Sequence, residues 1–152
     1  MSITEAVLAY GYDLGTAEGF LVNEVDDGGA LTASWFDMEV VDEFPEQVYQ
    51  RLYAAIPGAP AADADEYERT AQSHFGVKIA FAGTFDAPRY ILAVVASEST
   101  AYHDDACVLD LDRMRGLPES RGWETQLAVV LATLDLTPLQ TQPKWLIFPF
   151  CD

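Results

Sequence analysis

VKIAFAGTFDAPRYILAVVA, residues 77–96, decides the fold class of this chain. Val77, Ile79 and Phe81 alternate with Lys78, Ala80 and Ala82, the period of a strand with one preferred face. GTFDAPR at 83–89 reads as a connection. YILAVVA at 90–96 is apolar on both faces, the pattern of a central strand covered on both sides. We expect it to be flanked by 77–82 and by 144–149, within the aromatic and branched segment KWLIFPF at 144–150. That last strand either ends at Pro149, which donates no ladder hydrogen bond, or runs along an edge.

Upstream the period is helical. Phe44, Val48, Leu52 and Ala55 or Ile56 form one apolar stripe, widened by Tyr49 and Tyr53. Asp42 is the expected cap, Pro45 is tolerated in the first turn, and Pro57-Gly58 is the stop. PGAPAADADE at 57–66 reads as a linker leading into a second helix. There Asp63 caps, Glu66 follows three residues on, Tyr67, Ala71 and Phe75 share a face, and Gly76 terminates. Closer to the N-terminus, AVLAY at 6–10 reads as a short strand ended by Gly11. FLVNEV at 20–25, DDGG at 26–29 and LTASWF at 31–36 read as a β-hairpin.

Downstream, 97–106 is polar and CVLDL at 107–111 reads as a short strand. Trp123, Leu127, Val130, Leu131 and Leu134 predict a third helix over roughly 119–134. Two consecutive helices and adjacent strands break the regular alternation of a doubly wound fold. The order fits an α+β protein, with a mixed sheet of about five to six strands packed with three helices. A length of 152 residues suits a single domain spanning 1–152.

The chain carries 25 acidic and 8 basic residues, a net charge of −17, yet half of it is hydrophobic. It therefore reads as a packed core in a negative coat rather than a disordered acidic tail. Such a coat repels nucleic acid phosphates and anionic membrane surfaces and attracts basic proteins. The first ten residues have no basic region before their apolar stretch, and Glu5 interrupts it. No apolar run approaches the ~20 residues of a membrane helix. Cys107 and Cys151 are too few for a secreted disulfide framework, and Cys151 is expected as a buried or terminal thiol. These features point to the cytoplasm, with no membrane or nucleic acid partner and no cofactor.

AYGYDLG at 9–15, WFD at 35–37 and PKWLIFPF at 143–150 resemble a family of small, acidic, uncharacterised proteins of actinobacteria and their phages. The resemblance covers most of the chain through short motifs. It implies a cytoplasmic setting in a bacterium or an infected one. The family has no established activity, so no residue roles follow.

The densest polar cluster is His103, Asp104, Asp105, Asp110 and Asp112. Carboxylates with one imidazole suit a divalent cation. No glycine falls between Ala101 and Met114, however, so the Ca²⁺-loop pattern is missing and a solvated loop is the simpler explanation. Asp13 in GYDLG either faces a pocket or closes a turn on its own downstream amides, and the turn is simpler. Gly11, Gly15 and Gly19 lack phosphate-loop spacing, and the chain has only Lys78 and Lys144 to serve phosphate. Cys107 and His103 fix no nucleophile geometry, and no G-x-S-x-G, HExxH or CxxC is present. His74 suits the negative end of the second helix. No catalytic residue and no metal ligand is assigned.

Three readings of function follow. The first is a small acidic accessory or regulatory protein that binds a basic protein partner. The second is a DNA mimic that inhibits a nucleic-acid-binding enzyme, and the third a small metal-dependent hydrolase. Acidity as plain solubility stands beside all three. The first is favoured because aromatic anchors ringed by acid suit an interface. The candidate surface comprises Tyr12, Asp13, Trp35, Asp65, Glu66, Glu68, Tyr102, Asp104 and Asp105, with Tyr49 and Tyr53 as further anchors.

Overall fold

The computed structural model describes residues 4–151. Its axis is β1 (Thr4–Thr16), followed by the two-residue β2 (Gly19–Phe20). Then come α1 (Phe44–Ala54), α2 (Ala64–Phe75), β3 (Val77–Thr84), β4 (Ala87–Val94), β5 (Ser99–Tyr102), α3 (Leu111–Ser120), α4 (Trp123–Leu134) and β6 (Lys144–Cys151). The sheet has six strands in the order β2-β1-β4-β3-β6, with β5 also on β1. On one flank β1 pairs with β4 through residues 11–16 and with β5 through 5–8; on the other it pairs with β6 through 4–11. All these pairs are antiparallel. The parallel contact is β3 to β6, Gly83 to Phe150 and Thr84 to Cys151, and it curls the sheet into a ring of β1, β4, β3 and β6. The fold is thus α+β with a mixed sheet packed against four helices.

The alternation in β4 splits the interior in two. Tyr90, Leu92 and Val94 join Tyr10, Leu14, Val77 and Ile79 in the larger core, where the buried side chains of α1 and α4 pack. Ile91 and Ala93 face inward with Val7, Ala9, Ala80, Ala82 and Phe148. Alanines dominate that second cluster because the curled halves of the sheet approach closely there. Gly11 serves the same end. A side-chain carbon at this position would lie 1.8 Å from the Leu92 carbonyl oxygen, so β1 runs through Gly11 instead of stopping at it. Where β1 changes partner from β4 to β5, the Tyr10 amide donates to the buried Ser97 Oγ (2.8 Å), which itself donates to the Val94 carbonyl (2.6 Å).

The strand at 90–96 ends at Val94, in a 3-10 turn over Val95–Ser97. Its neighbours are β3 and β1; β6 lies across β1 and does not flank it. Only the start of the 20–36 hairpin survives as sheet. Phe20 pairs with Gly15 of β1, and beyond it single bridges join Val25 to Leu31 and Val22 to Pro138. The DDGG turn itself forms, with Asp26 Oδ1 accepting from the amides of Gly28 and Ala30 (both 2.9 Å). Polar 99–102 is strand β5, while CVLDL at 107–111 is exposed and unpaired up to the start of α3. The helix expected over 119–134 is α4, starting at Trp123, and α3 over Leu111–Ser120 is a fourth helix beyond the three expected. Asp110 caps α3 by accepting from the Arg113 amide (3.1 Å), and Gly122, in the left-handed region, separates α3 from α4. Trp123, Leu127, Val130, Leu131 and Leu134 are all buried in the main core. The second helix follows its expected limits, with Asp63 accepting from the Glu66 amide and Gly76 left-handed at φ 71°. Strand β6 continues through Pro149, opposite Ala6 of β1, to its contact with β3, and the side chain of Cys151 lies outside the described residues.

Candidate functional site

A cavity of about 390 Å³ opens where the β3–β4 hairpin meets the start of α1. Three stretches far apart in sequence build it. The hairpin places Phe81 directly across from Tyr90, with ring centroids 6.0 Å apart. Its two-residue turn carries Phe85, 69 % exposed and 6.3 Å from Phe81 ring to ring, and Asp86. The helix supplies Pro45 and Glu46, and the 3-10 turn over Met38–Glu43 supplies Asp42. Pro88 completes the wall.

Buried contacts hold this frame. Phe44, fully buried, packs 4.8 Å from the Tyr90 ring, and Phe20 stacks on Tyr90 from 6.2 Å. Gln47, a buried polar side chain of α1, accepts from the Asp37 amide (2.6 Å) and donates to the carbonyls of Asp37 (3.2 Å) and Val40 (3.1 Å). These bonds fix the 3-10 turn and hence the position of Asp42. Asp42 was expected to cap α1. Glu43 occupies that position instead, without a side-chain bond, so the Asp42 carboxylate is left to the cavity.

The electrostatics are one-sided. Asp42, Glu46 and Asp86 line the space, and no Lys or Arg does. The ion pairs among the described residues lie elsewhere, Lys78 with Glu98 (3.0 Å) and Arg89 with Asp13 (2.8 Å). Tyr90 is only 2 % exposed, lines the cavity, and its hydroxyl has no hydrogen-bond partner among the described residues. Burial first, then the charges of Asp42 and Glu46, push its pKa above the ordinary tyrosine value.

The residues expected from sequence to form a surface are scattered. Asp13 closes the turn on the Gly15 amide (2.9 Å) and also binds Arg89 Nε through both oxygens across the β1–β4 pair. Tyr12 is half-buried in a shallow depression beside Glu124. Trp35 donates its indole N–H to the Leu134 carbonyl (2.8 Å) and packs against Phe36 and Phe44, a structural tie. Tyr49 and Tyr53 are buried, correcting their reading as surface anchors. The Tyr49 hydroxyl accepts from the Ile79 backbone amide (2.9 Å) and from Gln72 Nε2 (3.1 Å), while that of Tyr53 donates to the Pro60 carbonyl. Asp65, Glu66 and Glu68 lie exposed on α2, and Tyr102, Asp104 and Asp105 are exposed at and after the end of β5. No group of three His, Cys, Asp or Glu among the described residues is arranged to hold a metal ion, which weighs against the hydrolase reading. No helix among them is long and apolar enough to cross a membrane.

Sequence reasoning missed the cavity because its parts come from 42–46 and 81–90. The signal was Phe85-Asp86, an aromatic–acid pair read only as connection, flanked in the alternation by Phe81 and Tyr90. Comparisons with models of known protein families, with curated proteins and with solved structures found no match, so the geometry alone carries the argument.

Proposed function

We propose that this is a small acidic accessory or regulatory protein that binds a basic protein partner, acting in the cytoplasm of a bacterium or an infected one. The observation that supports it most is the cavity: three carboxylates without counter-cations among the described residues, and three aromatic rings, converge on one opening. Carboxylates left unpaired on a rigid frame lower the cost of meeting a cationic surface, because no internal salt bridge has to be broken first. The net charge of −17 adds long-range steering toward such a partner and away from nucleic acid and anionic membranes.

Titration with a peptide rich in Lys and Arg, at rising salt, tests this reading. Affinity should fall steeply with ionic strength, since exposed charges are screened over about 8 Å at physiological salt. Binding that is undetectable at low salt would refute it.

A further inference from the structure

We infer that the cavity is a receptor for a single arginine side chain of the basic partner, a step that rests on the binding function proposed above. The cavity holds a chain of features that match a guanidinium group by group. Two of its rings, half-buried Phe81 and exposed Phe85, line the opening where a flat cation can pack against them, and Tyr90 backs them from the core. Its carboxylates come from different elements: Asp42 from the 3-10 turn, Glu46 from α1 and Asp86 from the hairpin tip. A guanidinium presents five N–H donors in a rigid plane and is weakly hydrated, so it serves several acceptors while stacking. An ammonium is compact and strongly hydrated and does this less well. The Tyr90 hydroxyl supplies one more acceptor. It belongs to a residue only 2 % exposed that makes no hydrogen bond among the described residues, so the oxygen is open to a donor that enters the cavity.

The amide end of α1 contributes partial positive charge near this site. Pro45 has no amide proton to add to it, and Asp42, Glu43 and Glu46 surround it with acid. An anionic ligand would meet three carboxylates and no Lys or Arg on the wall. The exposed Phe85 at the tip gives the arriving chain an apolar contact beside the charge.

Paired peptides test the assignment, identical except for Arg or Lys at one central position, titrated by calorimetry into four proteins. The wild type should bind the Arg peptide several-fold more tightly than the Lys peptide. The variant D42N/E46Q/D86N should lose at least about tenfold for the Arg peptide. The variant D104N/D105N/D112N removes the same three charges from the 103–112 segment and should lose less than about threefold. Tyr90→Phe removes an oxygen that makes no hydrogen bond among the described residues. It should leave the unfolding midpoint unchanged while reducing the preference for Arg over Lys. Equal affinity of the wild type for both peptides overturns the arginine assignment. Equal losses in the two triple variants overturn the cavity as the site while leaving a general acidic binder standing. Failure of both peptides to bind wild type at low salt removes the binding function as well.

Discussion

Two acidic regions of this molecule differ in what they do with their charge. From His103 to Asp112 the chain is exposed, and two of its four carboxylates serve their own backbone. Asp105 accepts from the Ala106 amide (2.8 Å), and Asp110 caps α3. Val108 stands 95 % exposed among them, on the rim of a smaller cavity where Asp110 is the one carboxylate and Arg113 faces it. Around the β3–β4 hairpin there are fewer acids. They come from three elements, make no hydrogen bond or ion pair among the described residues, and face a cavity whose inner wall is the buried Tyr90. Density of charge in sequence therefore does not locate a site. In the function proposed above, convergence of unpaired carboxylates on a packed frame does.

If the frame is what separates the two regions, substitutions in it should cost far more than substitutions in the exposed segment. Val94→Asp puts an unpaired carboxylate into the main core at the end of β4. The penalty of several kcal/mol consumes most of a total stability of roughly 5 to 15 kcal/mol, so the protein should be unfolded by circular dichroism. Val108→Asp, the same change in the exposed segment, should shift the urea midpoint by the equivalent of less than about 0.5 kcal/mol. A Val108→Asp protein as damaged as Val94→Asp would erase the contrast.

One step smaller, Phe44→Ala removes the ring beneath Tyr90 and should cost ~3–5 kcal/mol. Leu127→Ala in α4, equally enclosed but distant from the cavity lining, should cost ~2–5 kcal/mol. Only the former should also weaken binding of a basic peptide, which separates support of the cavity from support of the fold.

The larger core also sets the behaviour in alkali. Tyr10 donates to Glu124 (3.1 Å), and its pKa is pushed up to about 12 by burial, then by that hydrogen bond and the charge of Glu124. Its proton is held more tightly folded than unfolded. The contribution to stability is full below pH 10 and is lost as pH rises toward 12, on the order of 2 kcal/mol. Tyr10→Phe should flatten this part of the stability profile, measured by denaturant unfolding from pH 9 to 12. An unchanged slope would show that the phenol carries no such linkage.

Much of the fold is legible where local and global preferences agree. The stripe from Phe44 to Leu52, the Asp63 cap, the Gly76 terminator and the strands at 77 and 90 each follow from period and capping chemistry. The misreadings share a physical cause, since tertiary contacts decide them. Gly11 looks like a stop but is a point of close approach to Leu92. Ser99–Tyr102 looks like a loop but finds its ladder on Glu5–Leu8. Gly122, left-handed, holds the helix expected from 119 back to Trp123 and sets it apart from α3. Of the site, Asp13 was legible as a turn former. The cavity was not, because Asp42 resembles a helix cap and Phe85-Asp86 a turn until the hairpin is laid against α1.

The most direct measurement is the change in amide and aromatic NMR resonances of the protein on titration with the central-arginine peptide. The account expects the largest shifts at Asp42, Glu46, Phe81, Phe85, Asp86 and Tyr90, with residues 103–112 nearly still. Shifts concentrated at 103–112, or spread evenly over every acidic face, would contradict it.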